Sequence, residues 1–280
     1  MICWILLNDL TFPLLCAIIV SKYSNQFKVE GKMSSGDKFK QLEQDMRSVL
    51  PTRKIIGMRL DGKSFHSFTK QYERPFDMRF MFSMNAIAEG LITDHLTGAL
   101  FSYVQSDEIT VFFTDKWNEK TEYFFNGKIE KILSTSASFA TGAFLKNSAN
   151  IEGIPVFDAR MFVLENMDEV QEYMDWRRLD ARKNAVSMAA HFLYGDKNLR
   201  NVSTTGRKKL LEGTEYENLP DGFFNGRIMF KKKFEETISY IHGKTGEEKT
   251  TTVERTKTVS EPASRELTAE IIDSFRWMDK

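Results

Sequence analysis

Cysteine is almost missing from the 280-residue chain, and its two copies, Cys3 and Cys16, both fall near the start. The rest of the chain therefore has no disulfide framework, no CxxC zinc site and no cysteine nucleophile, as expected of a reducing, cytoplasmic compartment. Histidine is scarce as well: His66, His95, His191 and His242 are scattered, with neither an HExxH motif nor paired metal-ligand spacing. This disfavours zinc catalysis and a Ser-His-Asp triad. Only 6 prolines are present, which excludes collagen-like and disordered classes. An excess of charge is also lacking, because 39 basic residues cancel 39 acidic ones. With no global field to hold a polyanion, any nucleic-acid site must be a local patch. No repeat period is visible. Aromatic residues, by contrast, are plentiful, with 23 Phe, and the chain is long enough to bury a sizeable core.

One long apolar stretch stands out, residues 2–20, and it is interrupted by Asn8, Asp9 and Pro13 with no Lys or Arg before it. A secretory signal wants a positive region first, and Asp9 at mid-depth of a membrane would cost about 2.5–3.5 kcal/mol on insertion scales. Translation starting at Met33 is the preferred reading. Residues 1–32 are then an apolar extension that is untranslated or disordered, and no membrane association is expected.

Further along, Lys54–Leu60 is a short apolar strand pattern that ends in Asp61-Gly62. The segment Asp77–Thr93 has helical apolar spacing. Two apolar runs, ALFSYV and ITVFF, flank Gln105-Ser106-Asp107-Glu108 and predict a β-hairpin. Residues 128–145 read as a helix, Arg160–Leu164 as a strand, and Met167–Leu193 as a long amphipathic helix that starts at Asn166. The resulting β-α-β-β-α-β order predicts an α+β, ferredoxin-like core with an antiparallel sheet and packed helices over residues 33–230. Residues 231–280 read as a partly flexible C-terminal elaboration. Its Thr-rich runs around residues 243–246 suit a hairpin or a disordered segment equally, and Leu267–Trp277 suits a closing helix.

If the first strand lies beside the hairpin, Asp61 and Asp107 meet at one sheet edge. Two converging carboxylates suit Mg²⁺, a hard ion that takes oxygen ligands and shares a substrate phosphate with one or two acids. A pair of such ions supports phosphoryl transfer. Taken singly, an Asp-Gly pair is usually a turn and Ser-Asp-Glu a solvated hairpin; together at strand ends, the two readings balance. Behind Asp61 stand Lys63, Ser64, Phe65 and His66, a set that suits a nucleotide, although Phe65 weighs more as core and His66 more as a partly buried histidine.

The motifs Asp61-Gly62 with Phe65-His66, Arg74-Pro75-Phe76-Asp77, and Ser106-Asp107-Glu108 follow one another in order along the chain. They are joined by Ala137-Ser138, Phe157-Asp158-Ala-Arg160, Tyr173-Met-Asp-Trp176-Arg177 and Leu211-Glu-Gly213-Thr214. In these residues the chain resembles the tRNA-histidine guanylyltransferase family over roughly residues 36–230. The resemblance implies a polymerase-like palm that adds nucleotides to the 5′ end of tRNA in the 3′-to-5′ direction. It implies that Asp61, the Gly62 carbonyl and Asp107 hold two Mg²⁺ ions, with Glu108 as a further catalytic acid. Residues 61–66 and Ser106 would line the nucleotide site, ATP or GTP would activate the 5′ end, and the enzyme would be a homo-oligomer, a tetramer in the family.

Histidine-specific eukaryotic members carry His-Ile-Asn-Asn where this chain reads Arg182-Lys183-Asn184-Ala185. That replacement resembles the bacterial, archaeal and viral branch and points to templated repair of 5′-truncated tRNA. The alternatives are single guanylate addition to tRNA-histidine, a cyclase-like enzyme, and a non-catalytic RNA-binding module. Arg74, Lys128, Lys131, Arg178, Arg182, Lys183 and Asn184 are the candidate phosphate or RNA contacts, a solvated helix face being the ordinary explanation of the Arg177–Lys183 cluster.

Overall fold

The structure, a computed structural model, describes residues 35–45, 47–243 and 246–279. The apolar stretch at residues 2–20 and the preferred start at Met33 lie outside the described residues. The chain divides into two units, Met1–Arg47 and Ser48–Lys280. Helix α1 (Ser35–Asp45) belongs to the first.

The second unit is built on β1 (Ile55–Gly62), β2 (Ala99–Gln105), β3 (Glu108–Thr114), β4 (Phe157–Leu164), β5 (Arg227–Ile241) and β6 (Glu248–Pro262). These strands form one antiparallel sheet in the order β4-β1-β3-β2-β5-β6. Between strands run α2 (Phe65–Phe68), α3 (Met78–Gly90), α4 (Ile129–Lys146), α5 (Met167–Asn198), α6 (Thr204–Leu211) and α7 (Asp221–Asn225), and α8 (Arg265–Asp273) follows β6. The α+β fold with an antiparallel sheet and packed helices, expected from the element order, is the fold found.

Both faces of the sheet are covered, which explains why β2 and β3 read as unbroken apolar runs with no alternation. On one face Ile56, Met58 and Leu60 of β1 and Ile109, Val111 and Phe113 of β3 pack with Met84 and Ile87 of α3 and Ile132, Ala140 and Phe144 of α4. On the other face Phe101, Tyr103 and Phe112 meet Met167, Val170 and Met174 of α5 and Ile271 and Ile272 of α8. Burying each of these large side chains is worth about 1.5–3 kcal/mol, so the sheet is held as a rigid slab.

Local chemistry sets the helix starts. Asp77 caps α3 by accepting from the Arg79 amide, and Asn166 caps α5 by accepting from the Glu169 amide at 3.0 Å. The Glu169 carboxylate in turn accepts from the Glu165 amide at 2.8 Å. Helix α5 runs past the expected Leu193 to Asn198, because the chain breaks at Gly195 (φ 71°) and then resumes helical geometry. The Thr-rich runs pair as the β5–β6 hairpin, register Lys233↔Thr256 through Ile241↔Glu248, and most of its outer half is exposed.

Candidate active site

Strand ends decide where the acids go. Strand β1 lies between β3 and β4, and its last acid faces an acid on each side, Asp61↔Glu108 and Asp61↔Asp158. Gln105 pairs with Glu108, so Ser106-Asp107 is a two-residue turn, with Ser106 left-handed at φ 49°. The Gly62 amide donates to the Asp107 carbonyl at 3.1 Å, and the Lys63 amide to the Val156 carbonyl at 2.8 Å. These two bonds pin the end of β1 to both neighbours and bring Asp61 and Asp107 to one corner of the sheet.

Gly62 has a packing reason beyond any ligand: a Cβ there would stand 2.3 Å from the Phe65 ring. Phe65 is buried among Phe68, Phe144 and Phe157, with centroid distances of 5.0, 6.2 and 5.0 Å. Its ring is therefore core, and part of it also forms cavity wall.

The carboxylates differ in state. Burial pushes the Asp107 carboxyl above its ordinary range; its own amide pulls it down, and repulsion from Asp61 raises it further. Asp61 lies 3.7 Å from the Arg160 guanidinium, which also reaches Asp158 at 3.0 Å. Glu108 is the buried one. Arg177 of α5 grips it with two hydrogen bonds of 2.8 and 2.7 Å, Arg59 Nε lies 3.7 Å away, and Arg177 also stacks over Trp176 at 4.6 Å.

Beside this corner is a cavity of about 1010 Å³. Of the residues singled out in the sequence, Asp61, Phe65, His66, Arg74, Ser106, Asp107, Glu108 and Asn184 line it. Gly62, Lys63, Ser64, Lys128, Lys131, Arg178, Arg182 and Lys183 are not on its wall. Lys131 lies over the Phe125 ring at 5.7 Å, Arg178 pairs with Asp175 at 3.1 Å, and Arg182 donates to Asn225 Oδ1 at 3.4 Å. Sequence reasoning missed Arg59, Gln105, Asp180, His191, Phe223 and Arg227 as wall residues. Arg59 left a signal, a charge inside an otherwise apolar strand.

Mg²⁺ fits the donor set. Asp61 and Asp107 are hard oxygen donors, and the repulsion between them is what a cation relieves. Among the described residues no group of three or more His, Cys, Asp or Glu side chains is arranged to hold a metal. An ion at this corner would therefore complete its shell with water and phosphate oxygens.

Comparison with known proteins is specific. Residues 36–165 match the family model described as "Thg1: tRNAHis guanylyltransferase". The tRNA(His) guanylyltransferase of Debaryomyces hansenii is 30% identical over 216 residues, 69% of this chain and 78% of that protein. An uncharacterised protein of Acanthamoeba polyphaga mimivirus is 29% identical over 203 residues, 63% of this chain and 69% of its own. Among solved structures, a bacterial tRNA(His) guanylyltransferase-like protein in complex with ATP superposes with a TM-score of 0.67 at 31% identity, covering 70% of this chain and 88% of that one. A second such protein, in complex with GTP, superposes with a TM-score of 0.65 at 27% identity over 85% and 99% of the two chains. The sequence matches and the shared fold agree, and the chain belongs to the tRNA-histidine guanylyltransferase family of nucleotidyltransferases.

Proposed function

We propose that this enzyme adds nucleotides to the 5′ end of tRNA in the 3′-to-5′ direction, repairing 5′-truncated tRNA against the opposite strand of the acceptor stem. The observation that carries the proposal is the meeting of Asp61 and Asp107 on the wall of a cavity large enough for nucleotides, fixed by the bond from the Gly62 amide to the Asp107 carbonyl. Arg182-Lys183-Asn184-Ala185 on α5, in place of the family's His-Ile-Asn-Asn, supports templated repair over single guanylate addition.

In this reading the tRNA 5′-monophosphate is first activated with ATP or GTP. The 5′-phosphate attacks the α-phosphorus of that nucleotide and releases pyrophosphate; the 3′-hydroxyl of an incoming nucleotide, giving up its proton, then attacks the activated 5′-phosphorus and expels AMP or GMP. Asp61, the Gly62 carbonyl and Asp107 would hold the metal. Mg²⁺, when bound, supplies charge neutralisation for the phosphates and lowers the pKa of the attacking hydroxyl. Arg74 and Asn184 on the cavity wall take phosphate and sugar oxygens, and His66 the nucleotide. Arg177, fixed by Glu108, holds α5 against the sheet edge so that these groups stay in register. The enzyme works as a homo-oligomer, with Lys128, Lys131, Arg178, Arg182 and Lys183 meeting the RNA backbone outside the cavity.

The test is incorporation of labelled nucleotides, with ATP and Mg²⁺, into two 5′-monophosphorylated tRNAs: one lacking its first nucleotide and one full-length tRNA-histidine. Addition to the truncated tRNA of the pairing base alone is expected. Guanylate added only to tRNA-histidine contradicts the repair assignment. A cyclic nucleotide formed without RNA, or no addition to either RNA, contradicts the proposal outright.

A further inference from the structure

Arg227, the first residue of β5, is only 7% exposed and lines the same cavity as Asp61 and Asp107. Among the described residues it makes no ion pair. Its Nε donates to Asn85 Oδ1 at 2.6 Å and its Nη1 to the Gly222 carbonyl at 3.0 Å, both neutral acceptors. Burial drags its pKa down to about 10, opposed only by Tyr103. A buried cation with no counter-charge is costly, so its persistence here asks for an anion that arrives from outside the chain.

The backbone is shaped around this residue. Gly226, at φ 75°, lets the chain turn where a Cβ would sit 2.4 Å from the Tyr103 hydroxyl, and a Cβ on Gly222 would approach Arg227 Cγ to 2.9 Å. The Tyr103 hydroxyl donates to the Asn225 carbonyl at 2.9 Å and so fixes the same turn.

A second buried polar group lies at the same end of the sheet, on its other face. Strand register pairs Val104 with Arg227, and the next residue, Gln105, is also 7% exposed, faces the cavity, and has an Oε1 with no hydrogen-bond partner. Phe76 and Phe223, with ring centroids 5.7 Å apart, wall the cavity as well and give it apolar surface that strengthens a charge contact. Strand spacing puts the start of β5 about 10 Å from Glu108 on β3. One phosphate does not touch both the acids and Arg227, whereas one nucleotide reaches from the first to the second.

We propose that Arg227 forms an anion subsite that takes a phosphate of a nucleotide, while Gln105 Oε1, across the end of the sheet in the same cavity, accepts from a hydroxyl or amine of that nucleotide. This rests on the reading of the cavity as a nucleotide and RNA site. The phosphate belongs either to a free nucleoside triphosphate or to the 5′ end of the RNA; the chemistry is shared, and the test separates the sources.

The full chain is titrated calorimetrically in EDTA with GTP, and separately with an RNA acceptor stem bearing a 5′-phosphate or a 5′-hydroxyl. Arg227→Met weakens one ligand by tenfold or more, and Arg227→Lys, which keeps the charge but not the fork, weakens it less. Loss of GTP affinity assigns the subsite to the free nucleotide; loss of the preference for 5′-phosphate over 5′-hydroxyl assigns it to the RNA end. Affinities of Arg227→Met within twofold of the unaltered chain for every ligand overturn the proposal. Should Arg227→Met fail to fold, thermal melting decides. Inorganic triphosphate raises the melting temperature of the unaltered chain beyond chloride at equal ionic strength, and raises that of Arg227→Lys by less than half as much; equal shifts overturn the subsite. A chain that binds through Arg227 yet adds no nucleotide contradicts the nucleotide-addition reading alone. Normal addition and binding by Arg227→Met contradict the subsite alone.

Discussion

Asp77 and Asp107 show how one residue type takes opposite states within the same cavity wall. Asp77 accepts from the Arg79 guanidinium, and this, with the amides of Glu73 and Arg79, holds its carboxyl down to about 2 against the cost of burial. Because that value lies below the unfolded value of about 3.9, its stabilisation is present above about pH 4 and lost as pH falls toward 2. Asp77→Asn keeps a capping oxygen but not the charge. Its melting temperature should therefore fall less than that of the unaltered chain between pH 5 and 2; parallel curves would remove the assignment. Asp107 is the reverse case, since a raised carboxyl destabilises the folded chain at neutral pH. Asp107→Asn should melt at or above the unaltered chain while nucleotide addition falls by at least about 100-fold. A clear drop in melting temperature would make Asp107 structural instead.

At the scale of elements, Glu108 and Arg177 join β3 to α5, and removing either one leaves the other with a single remaining partner, Arg59 at 3.7 Å for Glu108 and Asp180 at 3.2 Å for Arg177. Each single change, Glu108→Ala or Arg177→Met, should cost about 1–3 kcal/mol, and the double variant clearly less than their sum. Urea unfolding of the four proteins measures the coupling, and additive costs would reduce the pair to a bystander. This joint marks where sequence reading stops. The apolar runs ending in Asp61 and flanking Asp107 made the strands, the hairpin and the converging acids legible, because a buried strand announces itself residue by residue. Glu108, by contrast, reads as a turn acid. It is buried because β3 begins at that residue and an arginine 69 positions away comes to meet it. Arg227 was hidden for the same reason. Its setting depends on β5 pairing with β2, a contact between residues more than a hundred positions apart, and on Asn85 from α3. The outer β5–β6 hairpin was ambiguous on other grounds, since polar, Thr-rich alternation is compatible with either an exposed ladder or no ladder.

For the molecule as a whole, 39 charges of each sign cancel, yet α5 and α6 expose Arg182, Lys183, Lys208 and Lys209. Net neutrality should not spare RNA binding from salt. The affinity for tRNA should fall steeply between 50 and 200 mM salt, by about 10³-fold if six phosphates are contacted. A flat dependence would exclude these faces as the RNA contact. Among the described residues no helix is long and apolar enough to cross a membrane. The account stands or falls on template-directed addition at the Asp61–Asp107 corner. The most direct measurement is incorporation into a 5′-truncated, 5′-monophosphorylated tRNA whose unpaired acceptor-stem base is changed in turn to each of the four nucleotides. The account predicts that the added nucleotide follows the opposing base every time, and that addition disappears with Asp107→Asn. The same nucleotide added whatever base stands opposite, or addition that survives Asp107→Asn, would contradict it.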